Sequence, residues 1–428
     1  MSTTVPTAQA AQWRHVVIAA IGILICTGGP STFSTLHLVR IDPSAFIWTN
    51  LYPFLAVAVA GAFLLAGALR ERPLRRVPWP IFAVAAYVSW ALVSALWSST
   101  PASTPVAAAV GVGIAAFGCW IGLSLSVEEQ ITSVMFATSA AVLLSIPVLA
   151  FRPAYGREPV LAPGAGGEWM GIYGNRNSLA AVSALGIIAV VGFALVRRTP
   201  ARTVAAVLIG IVDFIVLWGT HGDTSRITLV LCVVAALAIP CLWTLRKVRV
   251  PGVAVAAFGV ASLGAGWVIL FNNIDAIAKR FGMDPTLSQR TLIWRHVRGF
   301  IREHPVRGYG FWGFWDNPTL TYNTYHSIGK AYASAHNSVL EVLLMLGVIG
   351  LIPYFGIVLG AVVGISRWVW SHRSISAWWW TVVLVYLIAQ NMTESFVLWH
   401  SYNWVLVIAA SIVPYTSGRA AKAAAPAP

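Results

Sequence analysis

The chain has 428 residues, 58% of them hydrophobic and 10% charged, with a mean hydropathy of +0.76, which excludes a soluble globular domain. Its formal net charge of +14 would suit nucleic acid, but much of that charge sits in turns between apolar runs, where anionic lipid headgroups account for it; no nucleic-acid partner is expected. Cys26, Cys119, Cys232 and Cys241 all lie in apolar runs without metal-ligand spacing and read as small core residues.

Apolar runs near the roughly 20 residues that cross a bilayer begin around Val16, Phe46, Trp79, Val106, Ile131, Leu179, Val204, Ile227, Val250, Asn337, Ile375 and Leu398. The expected fold is an all-α polytopic membrane protein with about twelve transmembrane helices. The first run resembles a signal peptide behind Arg14 and His15, but no clear small-x-small site follows, so it reads as a retained anchor. Residues 1–271 are expected to hold helices one to nine, 272–335 a large extracytoplasmic loop, 336–416 helices ten to twelve, and 417–428 a disordered cytoplasmic tail. With the N-terminus inside, cytoplasmic loops collect Arg14, the basic turn from Arg70 to Arg76, Arg197, Arg198, Arg202, Arg246, Lys247, Arg249, Arg367, Arg373, Arg419 and Lys422. That asymmetry predicts a cytoplasmic (inner) membrane protein with both termini cytoplasmic. Against it, the outer loop from about Asn272 to Ala335 is itself rich in lysine and arginine, which suggests anion binding.

Polar patches follow in chain order on the expected outer face. Trp169 to Ala180 places Asn175, Arg176 and Asn177 where the sixth span begins, and His221 to Arg226 puts Arg226 at the start of the eighth. Gln289 to Glu303 has helical periodicity: Ile293, Trp294, Val297, Phe300 and Ile301 form an apolar stripe, and Arg295, Arg298 and Arg302 a basic face. Arg290 projects along the apolar stripe, so either it needs an anionic partner in the interior or, in a frayed first turn, it reaches water. His304 to Trp315 has the Gly and aromatic content of a tight turn with stacking surfaces such as Tyr309 and Trp312, which suit sugar rings. His336 and Asn337 then open a long apolar helix carrying Glu341, an ionisable residue inside a span. Asp213 in the seventh span invites the same argument, or is a buried helix-to-helix hydrogen bond. Gly347, Gly350, Gly356, Gly360 and Gly364 suit close helix packing, and the first two could leave a groove for a lipid tail. A lone Asp42 in the first outer loop is a minor competing signal. No Asp-x-Asp, phosphate-binding Gly-x-x-x-x-Gly-Lys loop or metal-spaced His/Cys/Asp cluster occurs, so no metal or other cofactor is expected.

The spacing His-Asn, nine residues, Gly-x-x-Gly, preceded by Gly-x-x-Gly-Asn-x-Asn-x-Leu-Ala, Ser225-Arg226, Arg290-x-x-x-Trp294, His-Pro and Gly-Tyr-Gly, resembles the O-antigen ligase and polysaccharide polymerase superfamily. The likeness spans roughly Trp169 to Gly350 and is closest to the exopolysaccharide-polymerase branch; Arg176 departs from it, since relatives commonly carry Pro or Lys there. The resemblance implies a GT-C-like, metal-independent glycosyltransferase. Its donor would be an undecaprenyl-diphosphate-linked glycan, its acceptor a hydroxyl of a glycan or lipid-glycan, and its site would lie on the outer face. In that chemistry arginine forks stabilise the diphosphate leaving group. Arg226 and Arg290 are the expected clamp, with Arg176 and Arg298 as further candidates. His336 is the expected general base, and Glu341 its rival or partner. Asn175, Asn177, Asn337, Trp294, Tyr309 and Trp312 are expected to bind substrate. The competing reading is a transporter of a lipid-linked glycan or a small anion.

Overall fold

The computed structural model describes residues 5–32, 45–73, 76–159, 166–196, 199–245, 290–328, 334–395 and 401–423. Its helices are α1 Val5–Cys26, α2 Ala45–Arg70, α3 Pro80–Val93, α4 Thr104–Ser124, α5 Val127–Phe151, α6 Arg176–Val196, α7 Pro200–Gly219, α8 Asp223–Leu245, α9 Arg290–Glu303, α10 Pro318–Ile328, α11 Ser338–Ser371, α12 Ile375–Thr393 and α13 Tyr402–Ala423. Among the described residues the only β contact is an isolated bridge between Arg157 and Trp169. Helices suit such an apolar chain: in hydrocarbon every backbone N–H and C=O must find a partner within the protein, and a helix supplies it within the segment.

Among the described residues eight helices are long and apolar enough to cross a membrane, where twelve are expected over the whole chain, and Gln12–Cys26 and Pro80–Leu96 are apolar but shorter. The described part of the run expected from Leu398 holds α13, which is not among the eight; the run from Val250, with Asp42, Lys279, Arg280 and Lys330, lies outside the described residues.

At the centre stands α4, packed on α2 and α13 through small residues. A Cβ on Gly113 would run into Ala58 of α2, and one on Gly118 into the Val405 carbonyl of α13. Such residues let helix backbones approach closely where lipid gives no hydrophobic drive to associate. Gly360 against Pro80 and Gly364 against Pro414 do the same for α11. Buried tryptophans are seated by their N–H groups: Trp379 Nε1 donates to the Ile188 carbonyl and Trp380 Nε1 to Gln130 Oε1. Cys26, Cys119 and Cys232 are buried as expected, whereas Cys241 is exposed on the flank of α8.

The long helix α11 is broken at Gly347, whose φ of 62° and ψ of −164° are open to glycine and strained for other residues. The break is filled by the turn from His304 to Trp315. The Leu344 and Met345 carbonyls accept the Tyr309 and Gly310 N–H groups, and the Val348 and Ile349 N–H groups donate to the Pro305 and Val306 carbonyls. A Cβ on Gly347 would collide with the Val306 carbonyl. Gly347 thus admits a loop backbone, where the sequence suggests helix packing or a lipid groove. The same turn is anchored on the α3–α4 connection, where Phe311 N donates to Ser94 Oγ and Thr104 Oγ1 to the Phe311 carbonyl.

Candidate functional site

The starts of α6, α8, α9 and α11 meet the end of α12; Glu394, which caps α12, bonds to residues at the starts of α6, α9 and α11, and α8 joins through Thr224 and Ser225. Arg290 Nη2 forms an ion pair with Glu394 Oε1, and Arg290 Nη1 donates to Thr224 Oγ1 at 3.0 Å. His336 Nδ1 lies 2.7 Å from Glu394 Oε2, and Asn177 Nδ2 donates to Oε1 at 3.3 Å. Arg290 is 7% exposed, so its guanidinium points inward and Glu394 supplies the anionic partner that such a placement demands. Burial alone would raise the Glu394 carboxyl; the charge of Arg290, with the hydrogen bonds from His336 and Asn177, outweighs it and holds the group below its ordinary value.

His336 sits in the left-handed region, at φ 48°. The next residue, Asn337, caps α11 by accepting the Val339 and Leu340 N–H groups at 3.1 Å, and donates through Nδ2 to the Met392 carbonyl at 2.9 Å. Asn337 N–H donates to Ser395 Oγ, and Ser338 Oγ to Asn391 Oδ1. Gln390 Nε2 reaches Ser225 Oγ at 3.0 Å, which ties α12 to the first turn of α8.

The structure brings together Arg290, His336, Asn177 and Asn337. Other expected site residues have different surroundings. Arg226 stacks over Trp218, 4.5 Å from the ring centre, donates to the Trp218 carbonyl and pairs with Asp223 at 3.4 Å. Arg176 pairs with Glu168 at 3.0 Å and lies 3.8 Å from Glu158, while Asn175 Oδ1 accepts the Asn177 N–H in the turn that opens α6. Tyr309 belongs to the packed cluster of Ile293, Trp294, Val297, Phe314 and Trp315, and its hydroxyl donates to Glu303 Oε2 at 2.6 Å. Burial, then this bond and the Glu303 charge, raise its pKa, so it remains a phenol. Trp312 is half-buried at φ 63°, with its N–H on Met345 Sδ. Glu341 has no exposed surface; its oxygens accept Trp315 Nε1–H at 2.5 Å and Ala335 N–H at 2.7 Å. Asp213 is buried against Gly186 of α6.

Beside the Glu394 cluster a cleft of about 530 Å³ opens between α11, α12 and α13. Arg298, Asn337 and Asn391 line it together with apolar residues including Tyr354, Leu387 and Val407. Arg298 and Trp294 reach it one helical turn apart on α9. A cleft with amides and a cation among its lining and an otherwise apolar wall suits an amphiphile with an anionic head.

Glu394 is the residue that reading the sequence misses. A lone Glu-Ser after a span carries no spacing signal; only the inward pointing of Arg290 asks for a carboxylate somewhere. Residues 214–355 match the family model for O-antigen ligase, which takes in Arg226, Arg290, Trp294, Arg298, Tyr309, Trp312, His336, Asn337 and Glu341 but neither Asn177 nor Glu394. No curated protein matches the chain.

Proposed function

The chain belongs, through residues 214–355, to the O-antigen ligase and polysaccharide polymerase superfamily, and from that premise we propose that it transfers a glycan from undecaprenyl diphosphate to an acceptor sugar hydroxyl. The observation that carries the reading is the Glu394 carboxylate held jointly by Arg290 and His336 at the ends of membrane helices. With Nδ1–H donated to Glu394, His336 is the tautomer whose Nε2 accepts a proton. In the proposed step the acceptor oxygen attacks the anomeric carbon and passes its proton to Nε2. The bond from that carbon to the diphosphate oxygen breaks, and undecaprenyl diphosphate departs with the electron pair. Arginines meet the charge that grows on it: Arg290 beside the cluster, Arg298 at the cleft, and Arg226 once it leaves Trp218. The apolar wall of the cleft receives the first isoprene units of the carrier. Arginines, and no metal, stabilise the leaving group in this scheme. The positive-inside pattern of the sequence supports a site on the outer face of the cytoplasmic membrane, with both termini inside.

Incubating the purified protein in detergent with an undecaprenyl-diphosphate-linked oligosaccharide, and separating the products on a gel, tests this. A ladder of longer glycans marks a polymerase, and a single transfer that needs an added acceptor marks a ligase. Uptake of the lipid-linked glycan into vesicles with no new glycosidic bond would replace the proposal with transport.

A further inference from the structure

Glu341 is fully buried in the first turn of α11, and its partners lie on the chain just before His336 and in the aromatic turn. Oε2 accepts the Ala335 N–H and Oε1 accepts Trp315 Nε1–H. The carbonyl of the same Ala335 accepts Trp294 Nε1–H from α9 at 2.8 Å. Both backbone polar groups of the residue preceding His336 are therefore pinned by side chains, one from α11 and one from α9. The pinning has a purpose that the backbone reveals. His336 stands at φ 48°, a left-handed conformation that is unfavourable for a residue bearing a Cβ and persists only where its surroundings over-determine it.

We propose that Glu341 is a positioning residue: acting through the Ala335 peptide, it holds His336 with Nδ1 on Glu394 and ties that placement to Trp315 of the aromatic turn. The inference rests on the reading of His336 as the proton acceptor. It departs from a role for Glu341 as the base, because the carboxyl oxygens are already engaged by N–H donors and no surface of the residue is open. It also explains why an acid stands here. Two N–H donors converge on it, and a glutamine offers one acceptor oxygen and an N–H that faces the second donor.

Three substitutions and two readouts test it. Glu341→Gln is expected to lower kcat roughly 10–100-fold with the KM for donor unchanged, as for a misplaced catalytic group. Trp315→Phe, which removes one donor and keeps the ring, is expected to give a smaller loss in the same direction. In a His336→Ala background Glu341→Gln should cost nothing further, since the two act through one group. A further loss in that background would overturn the inference and return Glu341 to the base. The second readout needs no transfer activity: the rate at which diethyl pyrocarbonate modifies His336, followed by peptide mass spectrometry, with His372 at the far end of α11 as the internal control. Glu341→Gln should raise the His336 rate several-fold and leave His372 alone, and an unchanged His336 rate would overturn the inference. A parent protein that transfers no glycan would defeat the proposed function, while the modification rate would still decide whether Glu341 positions His336.

Discussion

Replacing Glu394 with glutamine removes one charge and keeps the shape. The side chains of Arg290 and Glu394 are 9% and 10% exposed, so the variant leaves a guanidinium buried without its counter-ion. Breaking such a pair costs about 3–5 kcal/mol. Glutamine retains an oxygen for Arg290 or Asn177, which puts the expected loss at about 3 kcal/mol, the low end of that range. The dependence on pH follows from the sign of the shift. Glu394 is held below its ordinary value when folded, so its contribution is complete above the usual glutamate range and fades as pH falls through the lowered value. Denaturation in mixed micelles, run at neutral pH and at several acidic values, should show a gap between parent and Glu394→Gln that narrows on acidification. Equal stability at neutral pH, or a gap that persists unchanged in acid, would refute the argument that the carboxylate is ionised and paired with Arg290.

Gly347→Ala should lose several kcal/mol, from a left-handed backbone bearing a Cβ and from displacing a loop that makes four backbone bonds across the helix break; the loss would appear as a lower denaturation midpoint and poor monodispersity. Gly299→Ala, on α9 with nothing within 4 Å of the methyl it would add, is the matched control and should be neutral or slightly stabilising in the same measurement. Val358→Trp fills the cleft wall and should raise the KM for the lipid-linked donor about tenfold with kcat little changed, the pattern of lost ground-state binding. Chelation with EDTA should leave the transfer rate within about a factor of two, since arginines are assigned the leaving-group charge.

Much of this architecture is legible in the sequence because it rests on periodicity. The stripe of Ile293, Trp294 and Val297 is buried in α9, Arg295 and Arg298 are exposed, and Arg290 turns inward with the stripe. His336 and Asn337 open α11, and Asn337 caps it. What is not legible depends on contacts between distant segments. Glu394 lies 104 residues from Arg290, and nothing near it marks it as the partner. Gly347 reads as a packing glycine because a helix break shows no signature until the loop that fills it is in place. Tyr309 and Trp312 look like stacking surfaces in a Gly-rich turn; Tyr309 packs against α9, Trp312 is half-buried with its backbone N–H on Met345 Sδ, and the hydrogen bonds of the turn lead inward to Leu344 and Met345. Arg226 stands at a helix start, as its place in the sequence suggests, but the pull of Trp218 and Asp223 on its side chain is a local competition that the order of residues does not rank.

If Glu394 and His336 act as one unit in the proposed transfer, a single-turnover assay on the parent, His336→Ala, Glu394→Gln and the double variant will show it. Each single change should slow transfer by about 10²–10⁴, and the double variant should be no slower than His336→Ala alone. Losses that multiply in the double variant, or a Glu394→Gln protein that transfers glycan at the parent rate, would contradict the account.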